Sequence, residues 1–374
     1  MRVTALELAN FRNYAALRFE PAGGVCIFVG ANAQGKSNLL EALSLLSTGK
    51  SFRAARESDL IRSGAPLARI AARVATKSGE VQAACILTRV GEGARKRFMR
   101  NGRSVPYTQF LGGISAVTFM PFDLQLVSGP PALRRRLLNA ALSQSDRAYY
   151  RQHAAYSQVL VQKNALLKSP TVDRALLLTY NEQLAAVGGE IMAARAAYIR
   201  RLAREAAGVH ARWVGAAPEL SLRYDPSPAL ADDAPAAIVR ALQHALAAGQ
   251  SAELKQRTSL AGPHRDDIVF TLGGEPLARF GSQGQQRTAV LAVKAAEYML
   301  LAQAVGEPPL LLLDDVLSEL DAERRLAFLH SIQDLEQAFI TATDVPDFQG
   351  AQATFYRIES GTIERPAAAG RPPA

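Results

Sequence analysis

The sequence predicts an α/β fold in which mixed sheets carry a phosphate-binding loop and a mainly helical lobe is inserted into the chain. Three observations support this fold class. A glycine-rich run near residue 30 lies between an apolar strand and a helix, residues 131–215 are rich in Ala, Leu, Arg and Gln, and an apolar strand at 309–313 is followed by two aspartates. Strands without polar alternation are typical of parallel sheets covered on both faces, and the composition between them favours helices.

This change of amino-acid composition along the chain predicts two lobes. Residues 1–125 and 255–374 form the first, α/β lobe, and residues 126–254 form the second, helical lobe. A chain of 374 residues with 48% apolar content can build a separate core for each of them.

The glycine-rich run is Gly30-Ala31-Asn32-Ala33-Gln34-Gly35-Lys36-Ser37, which follows the pattern of a phosphate-binding loop. The apolar segment Val25–Val29 precedes it, and Asn38–Leu46 follows it with helical periodicity. The backbone amides of such a loop point at phosphate oxygens, and the helix N-terminus adds a favourable dipole. All eight residues are therefore predicted to bind a nucleotide, with Lys36 reaching the β- and γ-phosphates and the Ser37 hydroxyl coordinating Mg²⁺.

Strands and turns are predicted after this loop. Arg69–Ala75 and Val81–Leu87 are rich in strand formers, and Asn101-Gly102 predicts a tight hairpin turn inside the basic cluster Arg95–Arg103. The formal charge of the chain is +9, and residues 1–125 carry 17 Lys and Arg against 8 Asp and Glu. A basic cluster of this kind either follows a polyphosphate backbone or forms a solvated surface.

The helical lobe is predicted to contain two or three long helices, interrupted near Ser169-Pro170 and near Val187-Gly188-Gly189. Apolar residues between 176 and 198 recur at three- and four-residue spacing, which predicts a packing stripe. Arg134-Arg135-Arg136 is a second basic cluster, which either contacts nucleic acid or packs between the lobes.

An acidic pair follows the apolar strand at Pro309–Leu313. A carboxylate at the end of a strand beside a phosphate loop is where Mg²⁺ is held, so we assign Asp314 to the metal. Asp315 is predicted to position the attacking water or to act as a general base. The alternative is an ordinary strand end with two solvated acids.

A second anion-binding surface is predicted at Ser282-Gln283-Gly284, which opens a strongly helical run up to Gln303. A hydroxyl, a glycine and free amides at a helix N-terminus suit an anion, although a capped helix shows the same residues. The position of Ser282 and Gly284 ahead of the acidic strand resembles the Ser-x-Gly signature of ABC-type ATPases. In those proteins the signature contacts the γ-phosphate held by a partner's phosphate loop, which implies an ATP-dependent, head-to-tail homodimer.

Composition and hydropathy exclude several other classes. Only Cys26 and Cys85 occur, so neither a disulfide framework nor a four-cysteine zinc site is available. No apolar run approaches the ~20 residues of a membrane span, and the first residues lack the pattern of a secretory signal. We expect a cytoplasmic protein without a membrane partner.

Taken together, the motifs resemble the RecF family of recombination mediators, which is related to the SMC and Rad50 ATPase heads. The matching segments are Leu8–Tyr14, Gly30–Ala42, Phe119–Leu124, Ala261–Asp267, Gly281–Thr288 and Leu312–Asp321. Ala31 and Phe122 each stand where the family usually has Glu. Asp315 stands where most ABC ATPases carry Glu, and in this it is similar to the family.

The resemblance implies a P-loop ABC-type ATPase head with ATP and Mg²⁺ as cofactors. It also implies DNA binding at gaps and single-stranded/double-stranded junctions, with ATP closing a homodimer on DNA and slow, DNA-stimulated hydrolysis releasing it. RecO and RecR are the implied partners, in RecA loading, SOS induction and replication-fork maintenance. Ser318–Asp321 corresponds to the loop that crosses the dimer seam, and Arg12 and Asn13 resemble residues near the nucleotide. His264 and Arg265 either support the site or stabilise a loop.

Two other functions remain open at this point. One is a nucleotide-stabilised scaffold that recruits repair proteins without strong DNA affinity. The other is a transporter-type ABC subunit, which is disfavoured because the final strand, Phe339–Asp344, is not followed by the usual switch histidine.

Overall fold

The computed structural model describes residues 1–215, 218–316, 335–344 and 353–364. Its strands are β1 (Arg2–Phe11), β2 (Tyr14–Phe19), β3 (Gly24–Val29), β4 (Leu67–Thr76), β5 (Gly79–Val90), β6 (Gly93–Arg100), β7 (Arg103–Val105), β8 (Ala116–Phe119), β9 (Leu220–Asp225), β10 (Asp267–Leu272), β11 (Glu275–Pro276), β12 (Leu310–Asp314), β13 (Gln337–Ala342), β14 (Ala353–Glu359) and β15 (Thr362–Glu364). Its α-helices are α1 (Lys36–Thr48), α2 (Tyr107–Phe110), α3 (Pro131–Ser145), α4 (Arg147–Lys168), α5 (Arg174–Val214), α6 (Pro235–Ala248), α7 (Gln250–Gln256), α8 (Leu277–Phe280) and α9 (Gln283–Val305). Short 3₁₀ helices lie at Glu57–Leu60 and Pro121–Gln125.

The chain divides into two compact units. The first contains Met1–Asp123 and Glu297–Ala374, and the second contains Leu124–Ala296. The helical lobe predicted at 126–254 begins near the start of the second unit, but that unit also includes β10, β11 and the first part of α9. The reason lies in strand pairing, because β10 pairs with β9 and with β11 in one small antiparallel sheet.

A largely parallel sheet organises the first unit, in the strand order β15-β14-β3-β13-β12-β8. All pairs in it are parallel except β14 with β15. Because parallel strands end at one edge of a sheet, the loops after β3, β12 and β13 meet there. The predicted phosphate-binding loop and the acidic pair therefore lie at the same edge.

The second sheet of this unit is antiparallel, in the order β2-β1-β4-β5-β6-β7. Helix α1 contacts β4 and β5 of this sheet and β8, β12 and β13 of the parallel sheet, so its apolar residues are buried on both sides. The predicted hairpin turn is confirmed, since Arg100 pairs with Arg103 and both Asn101 and Gly102 have positive φ.

In the second unit, α3, α4 and α5 confirm the prediction of two or three long helices, with a break near Ser169. The predicted interruption near Gly188-Gly189 is wrong, because α5 runs unbroken from Arg174 to Val214. A Cβ on Gly188 would lie 2.9 Å from Leu242 Cδ2, and one on Gly189 would lie 2.4 Å from Val239 Cγ2. These glycines therefore allow α6 to pack closely on α5 rather than ending a helix.

Helix α9 is long and apolar enough to cross a membrane, and within the described ranges no other helix is. However, 72% of its apolar window is buried inside the protein, as in a core helix.

Candidate nucleotide-binding site

The phosphate-binding loop connects β3 to α1 and has the backbone conformation that the motif requires. Ala33 and Gly35 have φ of 66° and 115°. A Cβ on Gly35 would lie 2.7 Å from Asn13 Nδ2, so a larger residue does not fit there. A Cβ on Gly30 would lie 2.3 Å from the carbonyl oxygen of Ile358. Both fixed glycines of the motif are thus required by close packing around the loop.

Two turns brace this loop from outside. After β1, Asn13 Nδ2 donates to Gln34 O at 2.9 Å, and its Oδ1 accepts from Asn38 Nδ2 at 2.8 Å. Between β14 and β15, Gly361 N donates to Gln34 O at 3.1 Å and Ser360 N donates to Gln34 Oε1 at 2.7 Å. Asn13 thus lies against the nucleotide loop, and the turn at Ser360 is a contact that the sequence did not indicate.

Lys36 lies within the loop and is only 7% exposed. Its Nζ donates to Gly30 O, and to Ala31 O at 3.1 Å. Burial lowers the pKa of Lys36, and the negative charges of Asp315 and Asp314 oppose that shift. The carbonyl oxygens of Gly30 and Ala31 hold the Lys36 ammonium over the loop. Phosphate oxygens of a bound nucleotide would take the place of these carbonyls as hydrogen-bond acceptors.

The acidic pair lies at the end of β12, as predicted. Thr341 on the neighbouring β13 donates its hydroxyl to Asp314 Oδ1 at 2.8 Å and accepts from Asp315 N at 2.9 Å. Asp315 has φ of 52°, so the chain turns out of the strand at this residue. Thr341 fixes the orientation of both residues, and nothing in the local sequence singled it out.

The residues present suit Mg²⁺ bound together with a nucleotide. Ser37 is the second residue of α1, and Asp314 is 6% exposed with one carboxylate oxygen bonded to Thr341. The protein can therefore offer the metal a hydroxyl and a carboxylate oxygen. Within the described ranges, no group of three or more His, Cys, Asp or Glu forms a metal cluster. Magnesium in phosphate-loop proteins takes one or two protein ligands and completes its shell with phosphate oxygens and water, so this donor set fits.

A cleft of about 730 Å³ opens beside the loop. Its lining includes Gly30 and Asn32 from the loop, Asp344 from the segment after β13, and Arg357 from β14. This volume falls within the range of small-molecule sites, roughly 300–1,000 Å³.

The Ser282 turn belongs to the second unit and opens α9. Ser282 N donates to Gln285 Oε1 at 2.8 Å, and Gln285 N donates to Ser282 Oγ at 3.2 Å. This reciprocal pair is a capping box, so the alternative of a capped helix is present in the structure. Ser282 and Gln283 are also exposed, which leaves the turn accessible to a ligand. Ser318–Asp321, the predicted seam loop, lies outside the described residues.

Several other candidate residues have structural partners. Arg12 forms a two-pronged ion pair with the buried Glu41, at 2.8 Å for both bonds. His264 is bonded to Tyr156 OH at 2.7 Å and to Ser259 O at 3.1 Å. Burial lowers the pKa of His264 to about 4, so the ring is neutral near pH 7. The structure thus gives His264 a place in a buried loop of the second unit.

The basic cluster of α3 is also tied into the second unit. Arg134 is 6% exposed and pairs with Asp267 through two bonds, of 2.5 and 2.9 Å. Arg135 donates to Asp266 O at 2.8 Å. Of the two alternatives left open for this cluster, nucleic-acid contact does not suit Arg134, because its guanidinium is buried and bonded to Asp267 and to backbone carbonyls.

The fold and the site define the class of an SMC-type ATPase head. The family profile described as "RecF/RecN/SMC N terminal domain" matches residues 2–363. The Smc head domain of Pyrococcus furiosus has a TM-score of 0.54 at 17% identity, over 97% of this chain and 95% of the other, which supports the fold.

More similar proteins narrow the class. The chain is 38% identical to the DNA replication and repair protein RecF of Symbiobacterium thermophilum, over 97% of this chain and 98% of the relative. It is 41% identical to the RecF of a Cyanothece species, over 97% and 98%. A solved structure of the recombination mediator protein RecF with ATP has a TM-score of 0.89 at 30% identity and covers 98% of both chains. This chain belongs to the RecF family.

Proposed function

We propose that this protein is an ATP-dependent DNA-binding ATPase of recombinational repair and replication-fork maintenance. ATP closes a homodimer on DNA at gaps or single-stranded/double-stranded junctions, and slow, DNA-stimulated hydrolysis releases it. The observation that carries the proposal is the contrast between a fully braced phosphate loop and an exposed Ser-Gln-Gly turn. In the proposed dimer a complete nucleotide site needs both elements, and the exposure of Ser282 and Gln283 supports use of the turn by another molecule.

The phosphate loop would hold ATP through its backbone amides, from Gly30 to Ser37. Lys36 would exchange the carbonyls of Gly30 and Ala31 for the β- and γ-phosphates, which relieves the cost of burying its charge. Mg²⁺ supplies charge neutralisation of the phosphates when bound, and Ser37 with Asp314 would hold it. A solved RecF structure with ATP and another with ATPrS support nucleotide binding by this family.

Asp315 is the residue we assign to the attacking water. Its carboxylate is one methylene shorter than the Glu of most ABC ATPases, and its backbone is turned by a positive φ. A water held by the shorter acid is less well placed for in-line attack, so we expect slow turnover.

Ser282 and Gly284 would complete the site across the dimer. The exposed hydroxyl and the first amides of α9 suit the γ-phosphate bound to a partner's loop. In the free protein the Ser282 hydroxyl accepts a hydrogen bond from Gln285 N at the start of α9. Binding of the partner's nucleotide would turn this hydroxyl from the amide toward the γ-phosphate.

DNA is the polyanion that we expect the closed dimer to hold, mainly through phosphates and with little base readout. The RecF–ATP structure is described as part of the RecFOR pathway, which supports RecO and RecR as partners. The family resemblance extends the proposal to RecA loading and SOS induction. We expect these steps to take place in the cytoplasm.

A DNA-binding titration with and without ATP tests the proposal. A gapped duplex should bind more tightly with ATP, and the affinity should fall steeply as salt rises. Equal and negligible binding in both conditions at low salt would favour the alternative of a scaffold that recruits repair proteins without strong DNA affinity.

A further inference from the structure

The antiparallel sheet of the first unit has two unlike faces. Leu6, Ile70 and Cys85 are buried in the core on the face toward α1. Strand residues alternate between faces, so their neighbours lie on the opposite, outer face. The register places Arg69 and Arg73 of β4, and Arg97 of β6, on that outer face.

Arg69 and Arg73 line a cavity of about 280 Å³ on this face, and Arg97 lies on the same face outside its lining. Its floor includes Ala5 of β1, Ala71 of β4 and Ala84 of β5. Ala71 pairs directly with Ala84, and Ala5 pairs with Arg73. Small floor residues leave the backbone open to close approach. The guanidinium side chains of Arg69 and Arg73 line the cavity together with the carboxylate of Glu7.

The spacing of the charges suits an extended polyanion. Arg69 and Arg73 are four residues apart on one strand, about 13 Å, and Arg97 lies two strands from Arg69, about 10 Å. One strand of duplex DNA carries a phosphate every ~3.4 Å of axis, so these arginines span several phosphates. Guanidinium groups also suit phosphate oxygens better than ammonium groups, because they donate two bonds in one plane.

Carboxylates partly neutralise this face. Glu7 on β1 pairs with Arg69 at 2.9 Å, and their side chains are 43% and 44% exposed. Glu20 lies 3.9 Å from Arg73, which is 43% exposed. Exposed ion pairs of this kind contribute little stability, so a phosphate can displace the carboxylate.

The composition of the face favours duplex over single-stranded nucleic acid. Among the exposed and half-buried side chains on the described outer positions of β1, β2, β4, β5 and β6, none is aromatic. Single-strand binding surfaces stack bases on aromatic rings, whereas duplex binding relies on phosphates.

We propose that this outer face, the arginine face of Arg69, Arg73 and Arg97, binds the phosphate backbone of duplex DNA, and that Glu7 limits the affinity by pairing with Arg69. The inference rests on the proposed DNA-binding function and assigns it a surface. It also predicts that Glu7 and the phosphates compete for the same guanidinium.

Fluorescence anisotropy with a labelled duplex, in ATP and over a salt series, tests this assignment. The triple variant Arg69→Gln, Arg73→Gln, Arg97→Gln should bind at least tenfold more weakly. The slope of log affinity against log salt should fall by about 2–3, since each lost phosphate contact removes about 0.9. The triple lysine variant, which keeps the charge, should retain most of the slope.

Glu7→Gln should raise the affinity about two- to fivefold, because it frees Arg69. Arg204→Gln with Arg212→Gln is the matched control, since both residues are exposed on α5 in the second unit. This control should bind as the unchanged protein does. Circular dichroism and melting temperature check that each variant is folded.

The outcomes separate this inference from the proposed function. No DNA binding by the unchanged protein would overturn both. Normal affinity and slope in the glutamine triple, or a loss only in the Arg204/Arg212 control, would overturn the arginine face alone. Unchanged affinity in Glu7→Gln would show that Glu7 does not compete with DNA phosphates for Arg69. If the triple variant loses binding to polyglutamate but keeps DNA affinity, the face serves an acidic protein instead.

Discussion

The phosphate-binding loop and the Ser282 turn are both helix N-termini, yet they differ in how much of each is already satisfied. The loop is held by Asn13, Ser360 and Gly361, and its Lys36 is buried. The Ser282 turn is exposed, and among the described residues Ser282 bonds with Gln285 and Gln286 of the first turn of α9. The loop is therefore preorganised within one chain, and the turn can change partners at the cost of a helix cap.

This difference teaches how a nucleotide can control association. Under the proposed function, the preorganised loop would bind ATP without a partner, and the exposed turn would exchange its own cap for the phosphate held by a partner's loop. Binding and dimer formation then become separable steps, and substitutions in the two regions should have separable effects.

Lys36→Arg should have the largest effect. The pocket around Nζ fits an ammonium between two loop carbonyls, and the larger planar guanidinium misplaces its donors. We expect hydrolysis to fall by about 10³-fold or more, with weak dimer formation, because the charge is kept but its contact with the transferred phosphoryl group is misplaced. Phosphate release under saturating ATP measures this, and unchanged turnover would contradict the role of Lys36.

Asp315→Asn should reduce hydrolysis by about 100-fold, as expected when a water-positioning carboxylate is removed. ATP binding should be retained, because the loop and Asp314 are untouched. The closed dimer should accumulate. A sedimentation run that shows only monomer in the presence of ATP would count against the assignment.

Ser282→Arg should leave ATP binding to the monomer unchanged and weaken dimer formation at least tenfold, because the bulky charge fills an exposed contact turn. Mixing Ser282→Arg with Lys36→Arg should restore hydrolysis, since one composite site then has an intact loop and an intact turn. Equal dimer formation by Ser282→Arg and the unchanged protein would make the signature assignment wrong.

Ser282→Ala should have the smallest effect and sharpens the comparison. It removes the hydroxyl that accepts from Gln285 N, so we expect a loss of about 1 kcal/mol in the free energy of unfolding. Chemical denaturation measures the loss. Dimer formation should survive better than in Ser282→Arg, and an equally severe loss would show that the cap, rather than steric access, controls association.

Much of the site could be predicted from the sequence because its signals are local. The loop, the strand ending at Asp314 and the helix starting after Ser282 each depend on residues within one strand or one helical turn. The family resemblance added the prediction that the loop of one molecule and the Ser282 turn of another share a nucleotide across a dimer.

The site residues that the sequence did not indicate depend on contacts between distant parts of the chain. Ser360 binds Gln34 across 326 positions, and no local pattern marks such a pair. Thr341 is an ordinary strand residue until β13 places it beside Asp314. The predicted helix break at Gly188 and Gly189 is wrong because glycine has two uses in helical proteins: it can end a helix, and it can let two helices pack closely.

The mass of the Asp315→Asn particle with ATP tests the central claim most directly, because this variant should bind without releasing. Sedimentation or light scattering should give 40.1 kDa without nucleotide and about twice the 40.1 kDa chain mass with ATP, and with a bound gapped duplex it should give that dimer mass plus the mass of the duplex. A particle of one chain mass that demonstrably contains ATP would contradict a nucleotide site shared between two molecules.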